Sequence, residues 1–334
     1  MTTIAHLVDD TTPGGVMRVI EHIQRDADIA RLAHHRIIPL PRSGWAVPRV
    51  EADLIVSHLS LNWRRLPWLM QLRAIHSGTP MVHVEHSYTA AFARHNVARM
   101  GRFSTMLRIS FSLFERIVAV SEAQATWMVE KSLADAEQVE VIASAIDVAP
   151  FLALHPIQKA PRVIGAFGRL EPQKGFDTLI AAMRASPRQD LELRLYGDGG
   201  EREALVALAA GDPRIRFMGH VSDPARAMGE VEAVAMPSRW EAYGLVALEA
   251  RAAGRVLLVS NVDGLRDHAS AGAKLVRDGS VRGWTAALDG LDTPDMVAIK
   301  RARVDASEAT HWFAECWERL VVTLLKDKET AHAA

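Results

Sequence analysis

Two cations and two carboxylates in the second half of this chain have the types and spacing for work on a phosphorylated ligand. Arg169 and Lys174 lie in "FGRLEPQKGF", with glycines on both sides. Two permanent positive charges at a glycine turn leading into a helix can seat a diphosphate, because a guanidinium binds two oxygens at once and the helix end adds its dipole. An isolated Arg and Lys would more often be a solvated surface pair. Glu241 and Glu249 lie in "SRWEAYGLVALEARAAG". On one continuous helix this spacing sets them about 80° apart around the axis and about 12 Å apart along it, a poor catalytic pair. A loop at Glu241, a helix starting near Gly244 and Glu249 on its second turn would instead let the acids grip opposite ends of an elongated ligand.

The first half offers fewer such residues. Gly14 and Gly15 in "DDTTPGGVMRVI" follow an apolar run and precede a helix. Glycine there lets backbone approach a ligand and exposes N–H groups to an anion, although the same pair is also a common turn signal. "MVHVEHSY" places His83, Glu85, His86 and Ser87 at a strand end, where His86 is the best candidate for contact with a ligand. The fourteen histidines otherwise read as scattered, and no pair has the HExxH spacing of a metal site. Between Ser57 and Arg116, Arg64, Arg65, Arg73, Arg94, Arg99, Arg102, Arg108 and Arg116 stand against Glu85 and Glu115. Phe103, Met106, Leu107, Phe111 and Phe114 are interleaved with the later arginines. This stretch fits contact with an anionic membrane or a lipid diphosphate, and equally core-facing helices with a solvated basic rim.

The elements that must position these residues are legible as short apolar runs alternating with helix-length segments. "IAHLV", "HRIIPL", "DLIVSH", "MVHVEH", "RIVAVS" and "VEVIAS" form one series, and "RVIGAFG", "LELRLYG", "IRFMGH", "EAVAMPS", "RVLLVS" and "AKLVRDG" a second. Such alternation predicts βαβ units and two mostly parallel sheets, hence an α/β chain with two Rossmann-like domains. "YGDGGERE" follows a strand but lacks GxGxxG spacing, and reads as a tight strand-to-helix turn rather than a nicotinamide site. "DVAPFLALHPIQKAPR" reads as a linker, giving domains over 1–157 and 158–308. A closing helix over 309–328 carries Phe313, Trp317, Leu320 and Leu324 on one face and is expected to dock back on the first domain.

Composition narrows the classes further. A net charge of −1 over 334 residues argues against a general nucleic-acid binder. The one cysteine, Cys316, excludes a disulfide framework and a multi-cysteine zinc site, which suits a reducing cytoplasm. The opening "MTTIAHLVDD" reads as a strand rather than a signal peptide, and no apolar run is long enough to span a bilayer.

Taken in order, "PGGVMRVI", "EHSY", "RIVAVSEA", "GRLEPQKGFDTLI", "YGDGGER", "FMGHVSD" and "MPSRWEAYGLVALEARAAG" resemble the family-four retaining glycosyltransferases of the GT-B fold over nearly the whole chain. The resemblance implies two Rossmann-like domains facing across a cleft, a nucleotide-sugar donor held mainly by the second and a hydroxyl acceptor held mainly by the first. By position, Arg169 and Lys174 would bind the donor diphosphate, Glu249 the ribose hydroxyls, and Glu241 the transferred hexose. Backbone at Tyr243, Gly244 and Leu245 would touch sugar or phosphate, Gly219 and Val221 would receive the base, and Gly14 and Gly15 would join the donor site. His86 would orient the donor sugar. The family implies retention by same-face attack, no metal and no other cofactor, a UDP- or GDP-linked donor, and an acceptor such as a lipid-linked polysaccharide intermediate at the cytoplasmic face of the cell membrane. Two segments depart from the family pattern: "ASAIDV" replaces an Asn-Gly before the linker, and "NVDGLRDHAS" has one glycine and Asp267 where a Gly-Gly turn and a glutamate are expected. A nucleotide-sugar epimerase and a non-catalytic sugar-nucleotide-binding subunit are the other readings; an NAD enzyme lacks its fingerprint.

Overall fold

The computed structural model describes residues 2–12, 14–42 and 46–333, with side chains through Lys326. Its first sheet contains β1 (Thr3–Val8), β2 (His34–Pro39), β3 (Leu54–Ser57), β4 (Met81–Glu85), β5 (Arg116–Ala119) and β6 (Val139–Val141). All pairs are parallel, in the order β2-β1-β3-β4-β5-β6. The central strands are buried on both faces, which is why β3 opens as the apolar run of residues 54–56 rather than an alternation, while β4 also buries His83 and Glu85.

The second sheet contains β7 (Val163–Phe167), β8 (Glu192–Tyr196), β9 (Ile215–Gly219), β10 (Ala233–Met236), β11 (Val256–Ser260) and β12 (Lys274–Val276). Its order is β12-β11-β10-β7-β8-β9, again parallel. The chain therefore winds outward from β7 in one direction and restarts at β10 in the other. Between those two strands lies a topological switch point, where diverging connections leave a crevice beyond the strand ends.

The chain divides into two compact units, residues 1–146 with 311–334, and residues 147–310. The sequence expectation set the boundary at 157/158. The difference has a physical origin: the proline-containing segment after Asp147 is tied to the second unit. Arg303 donates to the carbonyls of Leu152 and Leu154, Arg255 to that of His155, and Ile157 N–H to that of Gly254.

The closing helix is longer than expected, Met296–Ala333. Its first part belongs to the second unit and the part from His311 to the first. Phe313, Trp317, Leu320 and Leu324 are all buried, with Phe313 beside the His22 ring and Trp317 edge-on to His6.

Candidate functional site

In the second unit, Lys174 and Glu241 meet at the switch point. Lys174 ends a short 3₁₀ turn after β7, and Glu241 lies on the loop after β10. Lys174 Nζ donates to Glu241 Oε2 at 2.5 Å, with both side chains mostly covered, and Ser238 Oγ donates to the same oxygen at 3.3 Å. Gln173 Nε2 donates to the Trp240 carbonyl and Arg239 N–H to the Gln173 carbonyl, so the two loops hold each other in register.

Glycines set how closely these loops approach. Gly175 has φ +66°, and a Cβ there would stand 2.2 Å from the Pro237 carbonyl oxygen, so the helix after Lys174 (Phe176–Ala185) can start only against a bare backbone. On the other side, the β7 and β8 turns interlock: Gly168 N–H donates to the Tyr196 carbonyl and Leu170 N–H to that of Asp198. "YGDGG" forms the strand-to-helix turn after β8 and packs on the loop that follows β7.

Arg169 does not join the Lys174–Glu241 pair. Its side chain is 72% exposed and lies 3.3 Å from Glu171. Glu249 is buried on the helix Leu245–Ala252, whose N-cap is Gly244 at φ +98°, and no side chain caps that helix. Its first N–H groups are thus available for an anion. Tyr243 is buried, and burial pushes its hydroxyl up to about 12. Gly219, at φ +76°, ends β9 and accepts the Gly197 N–H; Val221 follows, half-buried.

Two parts of this region were missed by sequence reasoning. Gly264 donates its N–H to the Glu241 carbonyl, and a Cβ on it would stand 2.1 Å from the Ala242 carbonyl oxygen. The one glycine kept in "NVDGLRDHAS" is the one that touches the Glu241 loop. His268 was also unmarked. It is buried, which drives its pKa down to about 3, with Arg251 as a second cause. The neutral ring donates Nε2–H to the Tyr243 carbonyl at 3.1 Å and accepts at Nδ1 from Arg251 at 3.2 Å.

In the first unit, Gly14 is the N-cap of the helix Gly15–Arg25, in extended backbone, where an added Cβ would stand 3.7 Å from the Thr12 carbonyl oxygen. Glu85 is buried and accepts the N–H groups of Ser87 and Tyr88, so it fixes the turn after β4. His86 stands at the end of that turn, half-buried. The expectation of scattered histidines is wrong here: His86 Nε2 is 2.9 Å from His58 Nδ1, His58 Nε2 is 3.0 Å from His6 Nδ1, and His6 Nε2 is 2.9 Å from His35 Nδ1. Sequence separations of 28, 52 and 29 hide this row from any local pattern.

In the basic stretch, Met106, Leu107, Phe111 and Phe114 are core residues. Arg65 donates to the Pro41 carbonyl and lies over Trp68, Arg73 pairs with Glu115, and Arg108 donates to the carbonyls of Lys131 and Ser132. These side chains serve the fold. Among the described residues no group of three or more His, Cys, Asp or Glu is placed to hold a metal ion, and no helix is long and apolar enough to cross a membrane.

Two parallel Rossmann-like units, the second with a glycine-lined cationic switch point, define a protein of the GT-B fold class. Residues 161–292, within the second unit, match the family model for glycosyl transferases group 1. It is 30% identical over 312 residues to a D-inositol 3-phosphate glycosyltransferase of Salinispora tropica, covering 82% of this chain and 63% of that protein. It is 33% identical over 189 residues to a glycogen synthase of Mycobacterium tuberculosis, covering 53% of this chain and 45% of that one. The chain thus spans less than two thirds of either relative. Among solved structures, Anabaena Alr3699/HepE in complex with UDP and glucose superposes with a TM-score of 0.72 at 18% identity, over 96% of this chain and all of that one. WaaG, a glycosyltransferase involved in lipopolysaccharide biosynthesis, gives 0.65 at 16%, over 93% and 98%.

Proposed function

We propose that this chain is a retaining, metal-independent glycosyltransferase that moves a hexose-type sugar from a nucleoside-diphosphate donor to a hydroxyl acceptor. The observation that carries this reading is the Lys174–Glu241 pair at the switch point of the second unit. In glycosyl transfer the anomeric carbon becomes cationic while negative charge grows on the departing diphosphate, so a fixed cation aimed at that phosphate lowers the barrier directly.

Before donor arrives, Glu241 holds the ammonium in place. A diphosphate competes for Lys174 and releases Glu241 to accept from hydroxyls of the transferred sugar. Arg169 is exposed and swings onto the same diphosphate, and the uncapped N–H groups at Gly244 and Leu245 add a partial positive charge. Glu249 accepts from the ribose hydroxyls, while backbone near Gly219 and Val221 meets the base. A phosphate oxygen of the leaving group takes the acceptor proton on the face from which it departs, so no hydrolase-type carboxylate pair is needed. In the first unit, Gly14, Gly15 and His86 contact the donor, and the unit binds the acceptor.

The UDP and UDP-glucose named with the Anabaena structures support a UDP-linked hexose. The lipopolysaccharide role named for WaaG supports a lipid-linked polysaccharide acceptor at the inner face of the cell membrane. Exposed Trp63, Met70, Met100 and Ile109 among the arginines of residues 57–116 support peripheral contact with anionic lipid there.

The test is direct. Calorimetry with UDP-, GDP-, ADP- and dTDP-hexoses identifies the donor, and release of nucleoside diphosphate measures turnover. Lys174→Met is expected to lower turnover about 10²–10³-fold, the effect of removing one preorganised donor to a developing anion. Unchanged turnover in that variant refutes the proposal.

A further inference from the structure

Four imidazoles cross the first sheet in a single row, one from each of four adjacent strands. His35 is on β2, His6 on β1, His58 directly after β3, and His86 just beyond β4. Their ring centroids are 5.2, 5.3 and 5.2 Å apart, close to the spacing of neighbouring strands, so the sheet itself sets the repeat. Each contact joins Nδ1 of one ring to Nε2 of the next, in one direction throughout.

The proton count of this row is restrictive. Burial holds all four rings below the ordinary imidazole range, His6 at about 3 and His86 at about 4, so each is neutral and carries one N–H. Three ring-to-ring hydrogen bonds need three protons, and four rings bring four. A break in direction would leave two lone pairs facing each other, or two N–H groups. The fourth proton must therefore sit at one end, on Nε2 of His35 or on Nδ1 of His86. Nε2 of His35 is buried and has no hydrogen-bond partner. The Ile29 carbonyl lies near the His35 ring, but no hydrogen bond reaches Nε2. His86 is half-buried, so water or a ligand can accept from it.

We infer that His35, His6 and His58 are positioning residues that lock His86 into its Nδ1–H tautomer, presenting a hydrogen-bond donor to an oxygen of the bound substrate. Every ring then donates from Nδ1 to Nε2 of the next, toward His86. The row is a lock and not a proton shuttle, because no titratable group meets its far end at Nε2 of His35, and a peptide carbonyl such as that of Ile29 cannot take up a proton. The oxygen that His86 meets is a sugar hydroxyl or phosphate oxygen of the donor; that identity rests on the function proposed above, whereas the tautomer does not.

The experiment reads ring nitrogens directly. Protein labelled with ¹⁵N-histidine, with the four rings assigned by single His→Gln variants, gives imidazole correlation spectra that separate protonated from bare Nδ1 and Nε2. The expected result at neutral pH is Nδ1–H in all four. A mixed pattern, a uniform Nε2–H pattern or a cationic ring overturns the inference whatever reaction the chain performs. His6→Leu removes the donor to His58 and is expected to let the His86 tautomer, two rings away, become mixed. It should lower kcat about tenfold with little change in donor KM, and His6→Gln, which can accept from His35 and donate to His58, should restore both. An unaltered His86 spectrum in a folded His6→Leu protein also overturns it.

Discussion

At the residue scale, the Lys174 ammonium serves two partners in turn. Held by Glu241 at 2.5 Å, it must leave that carboxylate to meet a phosphate, so Glu241 competes with the ligand. Glu241→Gln weakens the competitor. An exposed ion pair is worth about 0.2–1 kcal/mol and this mostly covered one at least as much, so UDP should bind more tightly to the variant, by about fivefold or more, while turnover falls for want of a charged acceptor at the sugar. Titration calorimetry and steady-state turnover together check this, and weaker UDP binding would contradict it. Gly264 gives a second test. An added Cβ would collide with backbone of Ala242, not with a flexible side chain, so the Glu241 loop has to move. Gly264→Ala is expected to cost about 1–3 kcal/mol and to reduce UDP affinity. Gly200→Ala, where nothing lies within 4 Å, should change neither and serves as the control in thermal melts.

At the scale of elements, the twelve strands were legible because parallel strands buried on both faces must be short apolar runs, and each predicted run became a strand. The placement of Glu241 on a loop, Gly244 at a helix start and Glu249 inside that helix was legible for a similar local reason, since glycine marks the turn. The histidine row was not, because it is assembled by sheet order: β1 lies between β2 and β3, and no sequence window contains those contacts. The start of the closing helix at Met296 was hidden too. Val297 and Val304 are exposed, so its first turns carry no clear apolar stripe. From Phe313 onward the stripe is plain and its residues are buried in the first unit. Trp317→Ala should therefore cost about 3–5 kcal/mol, and hydrogen exchange should show the loss in residues 1–146 while leaving 147–295 protected. Equal loss in both units would mean that the helix is not an element of the first alone.

For the whole molecule, neutral buried histidines in both units set an acid limit. His6, His58 and His86 in the first unit and His268 in the second have pKa values driven down by burial, to about 3, well below normal, about 4 and about 3. Neighbours add to this: His35 beside His6, His86 and then His6 and His83 beside His58, His83 beside His86, and Arg251 beside His268, while Glu85 opposes it at His86. Unfolded imidazoles bind protons near pH 6.5, so between that pH and about 4 the unfolded chain holds more protons than the folded one. Stability therefore rises with pH across this window and is lost as pH falls through it. Each fully buried ring costs about 1–2 kcal/mol by pH 5, so the several rings of the first unit together approach the stability of a domain and that unit should unfold well before its carboxylates titrate, whereas the second loses about the cost of one ring. Denaturant titrations at pH 7.5, 6 and 5, read by hydrogen exchange for each unit separately because one midpoint does not describe two domains, should show a falling midpoint in both. His268→Gln should flatten the pH dependence of residues 147–310 and leave that of the first unit unchanged; a midpoint independent of pH in the parent protein would mean that these rings are charged in the fold.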